Sequence, residues 1–224
     1  MFQALDDVDT FLEKYVIVPT KSDIFNMFRM IRPSEVKVVM VAQSPYPSRC
    51  PATRTQYACG PAFVPASGCA TTPATLKSIV AEVCRDMSAS SLKSTPRDML
   101  LDWISQGVML LNSSLTLGVG CPKYLEDHSV LWEEPMRAIL STIADIANPV
   151  FVLIGKDAWK YENSLSTSSE AIQARVIKVY HPVASNYRKD AIPGPEWAGS
   201  SVFSKVSRMM IENGDVPIKW MRRF

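Results

Sequence analysis

The chain has 224 residues, of which 47% are hydrophobic and 21% are charged, a composition that supports one sizeable core and excludes a disordered chain. Its net charge of +2 excludes a histone-like polycation, so a nucleic-acid partner would require the positive side chains to be concentrated on one face. Residues 1–15 lack the basic start and apolar block of a signal peptide, and no apolar run reaches membrane-helix length, so we expect one intracellular domain over residues 1–224.

The N-terminal part of the chain is expected to contain two helices and one strand before a long loop. Apolar residues at helical spacing predict helices over 3–17 and 22–31, which Pro19 separates and which belong to the same domain. The valine-rich run at 36–42 predicts a strand that is buried on both faces. A polar loop follows from residue 44 to about residue 72, and long loops inside compact domains tend to be functional.

Three of the five cysteines lie in this loop. The cysteines are Cys50, Cys59, Cys69, Cys84 and Cys121. No two of them have the C-x-x-C spacing that is typical of zinc and iron–sulfur sites, so we expect no metal and no cofactor. Free thiols in a reducing compartment are the favoured interpretation, and a local disulfide among Cys50, Cys59 and Cys69 stays open.

The remainder of the chain alternates helices and strands. The expected helices cover 73–86, 96–107, 131–147 and 202–212, and the expected strands cover 108–112, 149–155 and 175–181. Thr72 would cap the first of these helices, and Pro73 and Pro96 suit first-turn positions. Strands that alternate with helices predict an α/β fold with a parallel sheet covered on both sides.

Polar and aromatic residues lie where the four predicted strands end. The residues are Gln43, Ser44, Pro45, Tyr46, Asn112, Gly155, Lys156 and His181. Ligands of open α/β sheets bind beyond the carboxyl ends of the strands. Because these side chains offer hydrogen bonds and a stacking surface, they suit a planar polar ligand such as a nucleobase.

The same segments resemble family 1 uracil-DNA glycosylases over roughly residues 36 to 220. VKVVMVAQSPYP resembles that family's strand and its G-Q-D-P-Y-H loop, QGVMLLNSSLT its L-L-N-T-x-L-T strand, and YHPVAS its H-P-S-P-L-S loop. GPAF, VFVLIGK and VPIKW resemble its G-L-A-F segment, the strand before its Gly-Ser loop and its closing P-I-D-W. Each segment alone is a weak signal, but their shared order is specific. The resemblance implies a three-layer α/β sandwich with a central four-stranded parallel sheet.

The resemblance also implies an enzyme that hydrolyses the N-glycosidic bond of uracil in DNA during base excision repair. Phe63 would stack on the flipped base, and Asn112 would hydrogen-bond to its polar edge. His181 would hydrogen-bond to the uracil O2 as negative charge builds there. Gln43 would supply main-chain contacts to the base, and Tyr46 would exclude thymine by crowding the C5 position.

Other positions match the family's DNA-binding loops. They are Pro45, Pro73, Ala74, Gly155, Lys156, Ser185 and Tyr187. Ala74 stands about where the family has a phosphate-binding serine, and Lys156 replaces another serine with a point charge. The family's intercalating leucine falls at about Ser185, which is too small to wedge a base stack, so Tyr187 or Arg188 is the alternative wedge.

Ser44 is the main departure from the family pattern, because the motif has an aspartate there that orients the attacking water. Residues 43–72 contain no Asp or Glu that would replace it. General-base assistance typically contributes ~10²–10⁴-fold, so the first interpretation is a weakened glycosylase. The alternative is a DNA-binding replication accessory of the processivity type that keeps the fold without catalysis, as some poxvirus members of the family suggest.

The resemblance carries further expectations about the setting of the protein. It predicts a monomer that acts in the nucleus or at the site of DNA replication. Possible partners besides DNA are a replication protein and a protein inhibitor of glycosylases. The compact length and the altered motif suggest a viral or divergent member of the family.

Overall fold

The structure, a computed structural model, describes residues 16–120, 123–165, 175–184 and 196–221, and of residues 123–125 it describes only the backbone. The strands are β1 (Ile17–Val18), β2 (Val38–Ala42), β3 (Val108–Asn112), β4 (Leu117–Gly118), β5 (Val150–Ile154) and β6 (Val176–Val179). The helices are α1 (Asn26–Met30), α2 (Ala74–Asp86), α3 (Pro96–Ser105), α4 (Lys123–Leu131), α5 (Glu133–Ala147), α6 (Lys156–Trp159), α7 (Glu162–Leu165) and α8 (Val202–Glu212). No helix within these ranges is long and apolar enough to cross a bilayer.

A four-stranded parallel sheet in the order β3-β2-β5-β6 forms the centre of the fold. Every residue of β2, β3 and β5 is buried, which explains why these strands are valine- and leucine-rich rather than alternating. The edge strand β6 instead exposes Lys178 and buries Ile177 and Val179. The predicted α/β architecture with flanking helices is confirmed.

A cluster of aromatic rings joins α3, α8 and the C-terminal segment. The ring centroids of Trp103 and Trp220 are 5.1 Å apart, and those of Phe203 and Trp220 are 5.0 Å apart. The indole N–H of Trp103 donates to the Trp220 carbonyl at 2.9 Å, and that of Trp220 donates to the Phe203 carbonyl at 3.1 Å. Because the buried indoles keep their hydrogen bonds, the cluster gains apolar burial without an unpaired donor.

A buried carboxylate on α2 holds the turn that leads into α8. Glu82 accepts hydrogen bonds from the backbone N–H groups of Gly199 at 2.8 Å and Ser201 at 2.9 Å. Arg85 also binds this carboxylate, with its closest contact at 2.7 Å. Burial by itself raises the pKa of Glu82, but the hydrogen bonds from Arg85, Gly199 and Ser201 outweigh burial and hold the pKa below its ordinary value. The negative charge is therefore retained at neutral pH.

Several predicted boundaries are wrong. The predicted helix over 131–147 begins two residues too early. Leu131 is the last residue of α4, Trp132 separates the two helices, and α5 begins at Glu133 with Pro135 in its first turn. Thr72 does not cap α2, whose N-cap is Pro73 without a side-chain hydrogen bond. A threonine caps the next helix instead: the Thr95 side chain accepts a hydrogen bond from the Asp98 N–H at the start of α3.

The N-terminal prediction is correct only in part. Residues 3–15 of the predicted first helix lie outside the described residues, and its last predicted residue belongs to β1, which pairs antiparallel with β4. The predicted second helix is shorter than expected, with a 3₁₀ turn at Lys21–Asp23 followed by α1. The short helices α6 and α7 between β5 and β6 had no prediction.

Candidate active site

A cavity of about 150 Å³ opens at the carboxyl edge of the sheet. It is small compared with the ~300–1,000 Å³ of sites for drug-sized ligands, so it fits a single base-sized ring. The predicted site residues that line it are Gln43, Ser44, Pro45, Tyr46, Phe63, Asn112 and His181. Lining residues without a prediction are Pro47, Ala58, Gly60, Pro61 and Thr75, together with Ala42 at the end of β2. The structure thus brings together side chains from the ends of β2, β3 and β6 and from the long loop.

Hydrogen bonds between the ends of β2 and β3 position Asn112. Asn112 lies opposite Ala42 in the sheet, and the N–H of Ser113 donates to the Ala42 carbonyl at 2.7 Å. The hydroxyl of Ser113 donates to the Gln43 carbonyl, also at 2.7 Å. Asn112 is 3% exposed, and within the described ranges its side-chain amide has no hydrogen-bond partner. An amide that is buried in a cavity wall with a free donor and a free acceptor is ready to bind a polar ligand edge.

Phe63 is part of the cavity wall, and its backbone is strained. Its φ of 66° lies in the left-handed region, which a bulky residue rarely adopts. The turn is held by the Ala62 N–H, which donates to the Leu110 carbonyl of β3 at 3.0 Å. Gly60 has a φ of 108°, and a Cβ there would come within 2.5 Å of the Asp23 carbonyl oxygen. The surrounding contacts therefore impose this conformation on Phe63, as is typical of functional sites.

Tyr46 supports the same turn from the other side. Its hydroxyl donates to the Phe63 carbonyl at 3.2 Å, and its ring packs edge-on against Tyr57 with the centroids 6.0 Å apart. Burial, with smaller contributions from Cys59 and Tyr57, raises the pKa of Tyr46 far above its usual value. The phenol is therefore neutral, and its ring forms a fixed part of the cavity wall.

His181 faces the cavity as a neutral imidazole. Burial lowers its pKa, and the opposing charge of Asp157 does not restore the usual value. The Val183 N–H lies 3.5 Å from Nδ1, which therefore acts as an acceptor, while the Ala184 N–H donates to the His181 carbonyl at 2.8 Å. This arrangement assigns the proton to Nε2. The imidazole thus has one N–H donor that is not used by its own turn.

The part of the cavity wall that the structure describes has no acidic side chain. Of the described residues that line the cavity, none is Asp or Glu, and Ser44 lies at the position where the resembled motif has an aspartate. Gln43 also lines a neighbouring cavity of about 400 Å³ that contains Glu126, Glu133 and Asp157. Glu133 is paired with Lys160 at 2.9 Å. These carboxylates belong to the second cavity and do not line the base-sized one.

The predicted DNA-contact residues flank the cavity where the structure describes them. Pro73 is the N-cap of α2, and Ala74 is its first residue. Ala74 has no hydroxyl, but the next residue, Thr75, has one and lines the cavity. Thr75 was not predicted from the sequence. The signal that would have identified it is a hydroxyl residue in the first helical turn after Pro73.

The remaining predicted contacts lie around His181 and beyond it. Gly155 packs against His181, since a Cβ at Gly155 would lie 3.5 Å from the His181 Cβ. Lys156 begins α6 and is exposed to solvent. Ser185 and Tyr187 lie outside the described residues, so the choice of a wedge residue stays a prediction.

The fold and the cavity define an α/β protein with a base-sized site at the carboxyl edge of a parallel sheet. No protein-family model matches the chain. A uracil-DNA glycosylase of Francisella tularensis subsp. tularensis is 30% identical over 206 residues, which cover 92% of this chain and 84% of that relative. One of Streptococcus gordonii is 29% identical over 208 residues, which cover 92% and 84%. The chain belongs to the uracil-DNA glycosylase family, as the sequence motifs predicted.

Solved structures share the fold. The crystal structure of mimivirus uracil-DNA glycosylase matches with a TM-score of 0.79 and 24% identity, covering 97% of this chain and 80% of that one. A variant of the mimivirus enzyme in complex with UGI matches with a TM-score of 0.76 over 97% of this chain and 81% of that one. A glycosylase from Nitratifractor salsuginis matches with a TM-score of 0.58 and 16% identity, covering 87% and 78%. These structural similarities establish that the chain has the uracil-DNA glycosylase fold.

Proposed function

We propose that this protein hydrolyses the N-glycosidic bond between uracil and deoxyribose in DNA. The observation that carries the proposal is that Phe63, Asn112 and His181, which are far apart in sequence, line one cavity of about 150 Å³. The glycosidic bond is hidden inside a duplex, so the nucleotide must rotate out of the stack into such a pocket. The relatives named uracil-DNA glycosylase support this choice of substrate.

The pocket residues supply recognition of the base. Uracil presents a carbonyl acceptor beside an imide N–H donor, and the amide of Asn112 offers the matching donor and acceptor. Phe63 provides an apolar face for stacking. The ring of Tyr46 packs edge-on against Tyr57, and in this position it would crowd C5 of the base and exclude the methyl group of thymine.

His181 assists departure of the base. When the bond between C1′ and N1 breaks, the bonding electrons move into the uracil ring and negative charge develops on O2. The Nε2–H of His181 donates a hydrogen bond to that oxygen, and the imidazole stays neutral because burial lowers its pKa. A preorganised donor of this kind stabilises the transition state without reorganisation, which is typically the largest catalytic contribution.

Hydrolysis is completed when water adds to C1′ and loses its proton to solvent. A carboxylate beside that water would accept the proton and offset the positive charge on the sugar. Ser44 does neither, because a serine hydroxyl is uncharged and a weak base. We therefore propose an enzyme slowed by the ~10²–10⁴-fold that general-base assistance typically contributes.

The phosphates that flank the flipped nucleotide are held by the rim of the cavity. The first backbone N–H groups of α2, at Ala74 and Thr75, have no partners within the helix and attract an anion, and the Thr75 hydroxyl adds a donor. Lys156 contributes a positive charge on the other side, beside Gly155. Pro45, Pro73, Ser185 and Tyr187 complete the proposed contact set.

The proposed activity also suggests where the protein works in the cell and which protein inhibits it. A protein that repairs DNA works inside the cell where DNA is kept or copied, so we place it in the nucleus or at the site of replication. The glycosylase inhibitor UGI forms a complex with a variant of the mimivirus relative. We propose that UGI also binds the DNA-contact face of this protein. Loss of uracil excision on addition of UGI would test that partner.

The test of the activity is incubation with an oligonucleotide that contains a single uracil, followed by alkaline cleavage at the abasic site. We expect cleavage by the wild type, loss of cleavage in His181→Ala, and no cleavage of an otherwise identical oligonucleotide with thymine. Equal cleavage by the wild type and His181→Ala would contradict the proposed role of the imidazole.

One observation favours a second candidate function, a DNA-binding accessory protein without catalysis. This observation is the lack of Asp and Glu among the described residues that line the cavity. A mobility-shift measurement at two salt concentrations separates the candidates, because phosphate binding depends on salt whether or not the base is excised. Binding by a wild-type protein that leaves uracil intact would favour the accessory function.

A further inference from the structure

A tryptophan on the short helix α6 links the carboxyl ends of strands β5 and β6. The indole N–H of Trp159 donates to the Leu153 carbonyl at 3.0 Å and to the Val179 carbonyl at 3.2 Å. Leu153 is the last residue but one of β5, and Val179 is the last residue of β6. One donor shared between two acceptors therefore forms an indole bridge between the strands, at the edge of the sheet where the base-sized cavity opens.

The ring of Trp159 holds the residue that follows β6. Its centroid lies 5.0 Å from that of Tyr180, with an angle of 44° between the two rings. Tyr180 is buried, and the next residue along the chain is His181, which lines the cavity. One side chain thus contacts both the Val179 carbonyl and the Tyr180 ring, and these two residues lead directly to His181.

The turn between β5 and α6 brings Trp159 into this position. Gly155 has a φ of 86°, which glycine adopts readily, and its N–H donates to the Val179 carbonyl at 2.8 Å. The Gly155 carbonyl accepts the backbone N–H of Trp159 at 3.2 Å. Because the Val179 carbonyl accepts both the Gly155 N–H and the indole N–H, the turn, the indole and the end of β6 form one hydrogen-bonded unit.

We propose that Trp159 is a positioning residue that fixes the imidazole of His181 against the departing base. Trp159 lines neither the base-sized cavity nor the neighbouring one, so it acts through His181 and not on the base. The inference rests on the proposed glycosylase function and adds one residue to it. A preorganised donor works because it already points at the developing charge, and a displacement of about 1 Å can lower a rate by ~10²-fold.

The titration of His181 reports how firmly the imidazole is held, without any need for catalysis. The chain has two histidines, so the ring signals of both can be followed by NMR in protein labelled at histidine, and His181→Ala assigns them. Burial lowers the pKa of His181 against the opposing charge of Asp157 on α6. Trp159→Phe keeps an aromatic ring beside Tyr180 but removes the indole N–H. The loosened imidazole should gain contact with water, and the pKa of His181 should rise toward its ordinary 6.5.

His128 and Trp220 supply the controls. His128 is completely buried on α4 and burial also lowers its pKa, so its titration should not change in Trp159→Phe. Trp220→Phe removes an indole N–H that likewise has two acceptors, the Phe203 carbonyl at 3.1 Å and the Ser207 hydroxyl at 3.0 Å. Because Trp220 does not touch the ends of β5 and β6, both histidines of this control should titrate as in the wild type.

Single-turnover excision of uracil connects the indole bridge to catalysis. Trp159→Phe should lower the rate with saturating protein by up to ~10²-fold, whereas Trp220→Phe should keep the wild-type rate. Trp159→Gln is a second variant, which retains N–H donors but loses the ring that packs on Tyr180. It should also raise the pKa of His181 and lower the rate of excision.

Three results would overturn the proposal. The first is a wild-type titration of His181 in both Trp159 variants. The second is an equal rise in the pKa of His181 and His128, which would assign Trp159 a general packing role. The third is a raised pKa of His181 with an unchanged rate of excision. A wild type that leaves uracil intact would instead contradict the proposed function, and the titration would still show whether Trp159 holds the imidazole.

Discussion

Restoring a carboxylate at position 44 is the most direct test of how the cavity works. Ser44 lines the cavity at the end of β2, and none of the described lining residues is Asp or Glu. Ser44→Asp should therefore add a general base to a cavity wall whose described residues offer no carboxylate. We expect the rate of uracil excision to rise by ~10²–10⁴-fold, which corresponds to about 3–5 kcal/mol of transition-state stabilisation.

The assay is a single-turnover time course on the single-uracil oligonucleotide with protein in excess, so that the chemical step and not product release is measured. Ser44→Asn is the matched control, since it has nearly the same shape without the charge. The gain in Ser44→Asp should grow with pH as the new carboxyl group ionises, and partial burial at this position should raise its pKa above that of a free Asp.

Equal rates for Ser44→Asp and Ser44→Asn, in proteins with unchanged thermal melting, would refute the reasoning. That result would mean that a charge at position 44 does not reach the reacting sugar. A rise in Ser44→Asp that does not depend on pH would point to better packing instead of proton transfer.

Four further predictions follow from the geometry. Asn112→Ala should reduce single-turnover excision by the ~10–100-fold that losing a buried hydrogen-bonding group costs, at about 1–3 kcal/mol, with unchanged thermal melting. Tyr46→Phe removes the hydroxyl that bonds to the Phe63 carbonyl but keeps the ring, so uracil should still be excised and thymine still rejected in the same oligonucleotide assay. Lys156→Ala should weaken DNA binding and reduce the salt slope of a binding titration by about 1. Glu82→Ala should lower the free energy of unfolding in urea by about 1–3 kcal/mol, because the backbone N–H groups of Gly199 and Ser201 lose their acceptor. Because the folded pKa of Glu82 lies below its ordinary 4.5, the wild-type advantage should be present above pH 4.5 and should be lost as pH falls through the folded pKa.

The central sheet was predictable because its signals are local. The runs at 36–42 and 108–112 are short, apolar and rich in branched residues, and they form β2 and β3. The last helix was also predicted with its observed bounds, Val202–Glu212, because its apolar residues follow helical spacing. The gathering of polar side chains at one edge followed from the rule that ligands bind beyond the carboxyl ends of parallel strands.

The parts that were missed depend on contacts between distant segments. The strands β1 and β4 have two residues each, so neither carries a periodic pattern, and their pairing is set by the tertiary structure. The bridge between Ala58 and Pro65 joins two parts of the long loop, and no sequence spacing reveals it. The sequence placed Ala74 about where the family has a serine, and only the structure shows that the hydroxyl of the next residue, Thr75, lies in the cavity wall.

The geometry separates recognition of the base from activation of water. Phe63, Asn112 and Tyr46 are fixed by the hydrogen bonds among β2, β3 and the long loop, and none of the hydrogen bonds described above involves the side chain of Ser44. The loss of the aspartate therefore leaves the base pocket intact. Because we propose that His181 stabilises the leaving base and not the water, bond cleavage would keep its main electrostatic support. A protein built in this way should bind a uracil nucleotide with ordinary selectivity and lose rate only in the chemical step.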